Sequence, residues 1–222
     1  MDTHTPTAPR SLGQPDQGAP QDRPTRSSRV RLTVVLLCAA GTSAIALSDA
    51  IVQGVTGHSV LPTDDTAPVM VLVSFIHGAT YAALCWVLAA EARRIDAGHR
   101  VLRWLRRGLI VDLAVMSALF AVGIPLTTWI LALRSTQAVD DLFSSVGTST
   151  FLAMFALAFA VGVGTVRRAA LRPASYLLIG IVPAIGLMIG LGALHSSFAH
   201  PGYAETLVNF GIALLGLRRH TD

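Results

Sequence analysis

Long apolar blocks separated by short polar segments are the dominant pattern of this chain. Six blocks of roughly 17 to 25 residues can be drawn, and a helix needs about 20 such residues to cross about 30 Å of hydrocarbon. The pattern therefore predicts an all-α fold, a polytopic transmembrane helical bundle of six spans. We place the spans at about residues 32–53, 68–90, 108–133, 149–166, 174–195 and 201–217.

The segment before the first block differs sharply from the rest. It holds five of the eleven prolines and almost no large apolar side chain. Such a composition cannot bury enough apolar surface to order the chain. We therefore expect residues 1–30 to form a disordered Pro/Arg-rich cytoplasmic tail and residues 31–222 to form the transmembrane domain.

Composition supports a membrane protein. Of the 222 residues, 52% are hydrophobic and only 14% are charged, and the mean hydropathy is +0.58. These values lie well outside the range of ordinary soluble domains. We expect no soluble domain beside the bundle.

The distribution of the 17 basic residues, all of them arginine, predicts the orientation. Sixteen flank the spans on one side, and only Arg134 falls on the other. By the positive-inside rule both termini are cytoplasmic. We expect a multi-pass protein of a bacterial plasma membrane, with anionic lipid headgroups as partners at its cytoplasmic face. A nucleic-acid partner is excluded, since it would require one continuous basic face.

The sequence lacks the motifs that are typical of several classes of enzyme. The chain has no lysine, and it contains no GxGxxG, CxxC, HExxH or GxSxG sequence. A Schiff-base cofactor and a P-loop nucleotide site are therefore excluded. We assign no catalytic residue and expect no cofactor, although a divalent metal such as zinc is retained as an alternative below.

Polar residues within the predicted spans are the candidates for function, because an ionisable group in hydrocarbon costs a few kcal/mol. Helical spacing puts Asn209 on the same face as Glu205, and Tyr81 on the same face as His77. Together the candidates describe a pocket that opens outward and narrows toward His77. The pocket hypothesis comprises Asp49, His77, His195, Glu205 and Asn209.

Four interpretations of this cluster stay open. Histidine beside carboxylate can relay protons or ions, bind an organic ligand or lipid headgroup, or cap helix ends; Pro201 and Glu205 both suit a helix N-terminus. It can also bind zinc, which accepts nitrogen and oxygen ligands. The metal ligands would then be Asp49, His77, His195 and His200.

The metal interpretation was compared with membrane zinc hydrolases of the alkaline ceramidase and adiponectin-receptor type. Those enzymes use a serine, an aspartate and three histidines, and Ser74 and His77 lie three residues apart here. They have seven spans and a His-x-x-x-His pair on one helix, which this sequence lacks. No family is assigned on these residues.

Three functions follow as hypotheses. The first is transport or ligand sensing through the outward-facing pocket. The second is an intramembrane metal-dependent hydrolase. The third is a non-catalytic membrane interaction module, a homo-oligomer or the partner of another membrane protein, which packs through small residues such as Gly186 and Gly190.

Local signals predict further packing details. Gly162 and Gly164 should allow close helix contacts. Pro125 and Pro183 should kink the third and fifth spans. Asp112, about one turn from the cytoplasmic end of its span, should pair with an arginine of the second or fourth loop.

Overall fold

The regular structure of the described chain is helical throughout. The computed structural model describes residues 26–61, 68–126 and 137–217. A π-helix, Leu119–Gly123, follows α4, and a short 3-10 helix, Ala169–Leu171, precedes α6. The α-helices are α1 (Arg26–Thr56), α2 (Pro68–Ala90), α3 (Ala92–Asp96), α4 (Arg100–Ala118), α5 (Gln137–Thr165), α6 (Arg172–Ile179), α7 (Ile181–Ala193) and α8 (Gly202–Leu215).

The long helices alternate in direction. Arg31 near the start of α1 pairs with Glu91 just beyond the end of α2, so these two helices are antiparallel. We call the end of the bundle that contains α3 and the start of α4 the Arg106 end, and the opposite end the Asp49 end. Helix α8 lies in the centre and packs against α1, α2, α5, α6 and α7.

Four segments are long and apolar enough to cross a membrane, and they match the first, second, fourth and fifth predicted spans. They are Arg26–Thr56, Pro68–Ala90, Ser144–Thr165 and Ala169–Ala193. Large apolar side chains are exposed on these segments; Leu37, Leu152 and Ile189, for example, are 69%, 63% and 63% exposed. Continuous apolar surface of this kind is uncommon on soluble proteins, so the fold is that of a membrane protein.

The third and sixth predicted spans are not among these four. Helix α4 begins at Arg100, earlier than the predicted start at residue 108, and its first half contains charged residues such as Arg103 and Arg106. Residues 127–133 lie outside the described chain. Helix α8 has 14 residues and so measures about 21 Å, less than the hydrocarbon thickness of about 30 Å.

Two other boundaries differ from the prediction. Helix α1 begins at Arg26, within the predicted tail, since no proline lies between Pro24 and Thr56 and Arg31 is held by Glu91. Helix α5 begins at Gln137 instead of residue 149. The apolar pattern of the sequence marks only the part of a helix that suits hydrocarbon, and the helix itself extends beyond that part. The remainder of the tail, residues 1–25, lies outside the described chain.

Both predicted proline distortions coincide with irregular helix geometry. The fifth segment is interrupted at Gly180, between α6 and α7. Pro183 has no N–H to donate to the carbonyl of Ile179, four residues earlier, which explains a break at this position. Pro125 follows the π-helix Leu119–Gly123 in the same manner.

Hydrogen bonds from Arg106 and Arg94 hold the Arg106 end together. Arg106 donates two hydrogen bonds to Asp96, at 2.8 and 2.9 Å, and both side chains are buried. Arg94 donates to the carbonyls of Leu215 and Leu217, at 3.2 and 3.3 Å. It therefore satisfies carbonyl groups that a helix C-terminus leaves unpaired.

Candidate functional site

Two histidine–carboxylate pairs lie along the N-terminal half of α8. The first, nearer the Asp49 end, joins Asp49 of α1 to His200, and the second joins His77 of α2 to Glu205. Asp49 and Glu205 are 7% and 5% exposed, so each carboxylate requires polar partners. The backbone around each histidine assigns the two pairs different roles.

In the first pair both ring nitrogens of His200 are engaged. The backbone N–H of Gly202 donates to Nδ1 at 3.0 Å, so Nδ1 carries no proton. The proton of the neutral ring is therefore on Nε2, which lies 3.3 Å from Oδ2 of Asp49 and can donate to it. This histidine caps the start of α8 and cannot gain a proton without losing the Gly202 hydrogen bond.

Asp49 also holds the segment that follows α1. Its Oδ1 accepts hydrogen bonds from the Ser59 hydroxyl at 2.6 Å and the Val60 N–H at 2.8 Å. The carboxylate thus links three parts of the chain, as the capping interpretation expects. A cavity of about 300 Å³ opens beside it, lined by Ala44, Ile45, Ser48, Asp49, Val60 and Leu61.

The second pair has the opposite tautomer. His77 Nδ1 lies 2.8 Å from the carbonyl oxygen of Val73, and since a carbonyl only accepts, Nδ1 must carry the proton. The neutral ring therefore presents an unprotonated Nε2 to Glu205, 3.7 Å from Oε1. The Tyr81 hydroxyl donates to the same oxygen at 2.8 Å. His77, Tyr81 and Glu205 form what we call the inner site.

Aromatic rings enclose the inner site. Phe120 stacks on His77 with ring centroids 5.5 Å apart and meets Tyr81 edge-on at 5.9 Å. Phe120 belongs to the π-helix after α4, and Gly78 lies directly against Ala121 of that segment, where a side chain would clash. The irregular turn thus brings an aromatic ring over the histidine and keeps the site apolar around its few polar atoms.

Asn209, one turn beyond Glu205, is fully buried, and among the described residues neither of its side-chain polar atoms has a hydrogen-bond partner. The buried hydroxyls of Ser43 and Thr206 also have no hydrogen-bond partner within the part of the chain that the structure describes. A buried unpaired amide costs free energy, and such groups are often found where proteins bind water or ligands. Among the candidate site residues, Asn209 is therefore the one whose burial is least explained by helix packing.

His195 lies apart from both pairs. It is exposed just after α7 and has a left-handed backbone, with φ of +54°. Within residues 26–61, 68–126 and 137–217, no three His, Cys, Asp or Glu side chains are grouped to hold a metal ion. The candidate ligands Asp49, His200 and His77 are instead divided between two pairs.

The prediction that Asp112 pairs with an arginine is wrong. Arg106 binds Asp96, and Arg168 donates to the carbonyls of Arg94 and Ile95. Oδ2 of Asp112 is buried without a hydrogen-bond partner in the described chain. This arrangement could not be predicted from the sequence, because nothing in it distinguishes one arginine of the second or fourth loop from another as a partner for Asp112.

The hydrogen bonds from Ser59 and Val60 to Asp49 were not predicted from the sequence either. The short length of the loop is the sequence feature that places these two residues within reach of Asp49.

Comparisons of this chain with protein families, curated proteins and solved structures found no match.

Proposed function

We propose that this chain is a multi-pass protein of a bacterial plasma membrane that takes up and releases a proton at the inner site, in the service of transport or ligand sensing. The observation that carries the proposal is the unprotonated Nε2 of His77 facing a buried Glu205 across 3.7 Å. Imidazole titrates near neutral pH, and a buried ionisable pair within an apolar bundle is typical of proton-transfer sites.

The proposed topology has six spans and cytoplasmic termini. Every arginine of the described chain lies in the segments at the Arg106 end: the start of α1, the region from α3 into α4, and the connection from α5 to α6. This supports a cytoplasmic Arg106 end under the positive-inside rule. Helix α8 would then enter from the outside at His200 and end at the cytoplasmic face, where Arg94 caps it.

The inner site would hold one exchangeable proton in its protonated state and none in its deprotonated state, in which the Glu205 carboxylate faces neutral His77. In the protonated state the proton can lie on either side chain. When Glu205 is a neutral acid, its proton can pass to Nε2 of His77, which leaves a carboxylate facing an imidazolium. The Tyr81 hydrogen bond stabilises that carboxylate. A separation of 3.7 Å exceeds a normal hydrogen bond of about 2.9 Å, so direct transfer requires the helices to approach, or a bridging water. Protonation is thereby linked to the packing of α2 against α8.

Infrared difference spectroscopy tests the proposal. The full chain would be reconstituted in lipid vesicles and the carboxylic-acid C=O band recorded while the external pH is stepped through neutrality. We expect a band from a carboxyl group in apolar surroundings that disappears in Glu205→Gln, and whose pH dependence changes in His77→Gln. Vesicles with an entrapped pH dye would show proton movement that is lost in the same two variants.

Two control substitutions distinguish an effect of the inner site from an effect of other polar residues. Asp141→Asn removes an exposed carboxylate of α5 and should leave the band and the proton movement unchanged. His200→Gln should lower stability but keep the Glu205 band, since His200 only caps α8. Identical titrating bands in the wild type and in Glu205→Gln would refute the proposal.

A second function, association with another membrane helix, is favoured by one observation. A side chain built at Gly186 or Gly190 would meet no atom within 4 Å in the described chain. The GxxxG face of α7 is thus open to the membrane, as in helices that dimerise. Crosslinking in vesicles tests association between two copies of this chain: Gly186→Leu should abolish a crosslinked dimer, and a monomeric wild type would rule out a homodimer through this face.

A further inference from the structure

A groove of about 590 Å³ lies at the Arg106 end between the first turns of α4 and the last turns of α5. Neither the inner site nor the cap at His200 contributes to it. Its lining residues are His99, Val101, Leu102, Leu105, Ala160, Val163, Gly164, Arg167 and Arg168. The groove thus has apolar walls and basic residues at one end.

The basic end of the groove carries uncompensated positive charge. His99, Arg167 and Arg168 line it, and no acidic residue does. The carboxylate of Asp96 does not neutralise them, because it is already bound by Arg106 at 2.8 Å and lies 3.9 Å from Arg103. An anion would therefore be attracted to this end.

Arg168 is fixed in position and Arg167 is accessible. Nη1 of Arg168 donates to the backbone carbonyls of Arg94 and Ile95, which ties the end of α5 to α3. Arg167 is exposed. A guanidinium held in place loses less side-chain entropy when it binds an anion than a free one does.

The remaining walls suit a hydrocarbon chain. Val101 and Val163 are 70% and 49% exposed, and Leu105 belongs to the same lining. Trp104, 65% exposed, stands beside Arg107, whose guanidinium lies 5.8 Å from the centre of the indole ring. Tryptophan beside arginine is typical of the level at which lipid headgroups meet acyl chains.

We propose that this groove binds one anionic phospholipid, with its phosphate at Arg167 and Arg168 and the first carbons of an acyl chain along Val101, Leu105 and Val163. The charge at one end and the apolar walls at the other match an amphipathic anion. The proposal rests on the membrane placement given above and is independent of proton exchange at the inner site.

Native mass spectrometry of the full chain in detergent provides the test. The protein would be titrated with phosphatidylglycerol, and separately with phosphatidylcholine and inorganic phosphate. We expect one tightly retained phosphatidylglycerol, with phosphatidylcholine and free phosphate retained far less. Because a charge-assisted hydrogen bond contributes about 1.5–3 kcal/mol, Arg167→Gln should weaken retention about tenfold or more.

Two further variants make the test specific. Arg93→Gln removes the same charge from an exposed position of α3 outside the groove and should leave retention within about twofold of the wild type. Val163→Asp places a carboxylate among the groove walls and should abolish retention while the inner-site infrared band persists. Equal losses in Arg167→Gln and Arg93→Gln, or equal retention of phosphatidylcholine, would overturn the proposal.

Discussion

Two buried aspartates differ in the hydrogen-bond partners of their carboxylate oxygens, although their exposure is similar, 8% for Asp96 and 9% for Asp112. Asp96 accepts two hydrogen bonds from the buried Arg106, whereas Oδ2 of Asp112 has no partner in the described chain. Asp96→Asn should therefore destabilise the protein by about 3–5 kcal/mol, because it leaves a buried cation unpaired. Asp112→Asn should leave stability unchanged or raise it, since the amide removes an unpaired carboxylate.

Thermal unfolding of both variants in one detergent measures this difference. Ser117, whose hydroxyl donates to the carbonyl of Gly78 at 2.8 Å, offers a reference on the same helix. Ser117→Ala should cost about 1 kcal/mol, the worth of one ordinary hydrogen bond. A fall in melting temperature for Asp112→Asn as large as that for Asp96→Asn would mean that Asp112 is paired in the membrane.

At this scale the sequence identifies the polar residues but not their pairing. Position within apolar blocks selected Asp49, His77, Asp112 and Glu205 as residues that need partners, and helical spacing put Tyr81 with His77. Polar partners lie beside three of them, whereas Oδ2 of Asp112 has none in the described chain. The tautomers could not be predicted, because they depend on the carbonyl of Val73 and the N–H of Gly202. Backbone groups leave no signature in composition or spacing.

Among the helices, the glycines of α5 and α7 have opposite surroundings. A side chain at Gly162 would lie 2.7 Å from Cβ of Leu178 and 3.2 Å from the carbonyl oxygen of Ser175, so α5 and α6 are in close contact there. Gly162→Leu should separate the two helices and destabilise the fold by about 1–3 kcal/mol. Gly186→Leu, the same substitution on α7, should not change the stability of the monomer.

Unfolding of both variants in detergent, at a protein concentration low enough to separate any dimer, checks this contrast. Equal destabilisation would show that Gly186 packs against a part of the chain outside residues 26–61, 68–126 and 137–217. The sequence predicted close contact at both glycine pairs, which lie two residues apart in α5 and four apart in α7, because small residues allow helices to approach. It could not distinguish a contact within the chain from a face left open to lipid or a partner.

At the scale of the whole molecule, the length of α8 does not by itself decide whether this helix crosses the membrane. With 14 residues it is about 21 Å long and too short for hydrocarbon about 30 Å thick. Yet it is the central helix, in contact with α1, α2 and α6, so it is surrounded by protein. A buried helix need not match the lipid thickness, because its ends are satisfied by His200 at one end and Arg94 at the other.

Reporter fusions at Met1 and Asp222 decide the topology. Because α8 runs from the Asp49 end to the Arg106 end, where the described arginines gather, we expect both fusions to report a cytoplasmic location. A fusion after Thr56, at the Asp49 end of α1, should report the opposite side and serves as the control. An external C-terminus with a cytoplasmic N-terminus would mean an odd number of crossings. In that case the Arg94 contacts with Leu215 and Leu217 could not form in the membrane, and the proposed arrangement of the inner site would fail with them.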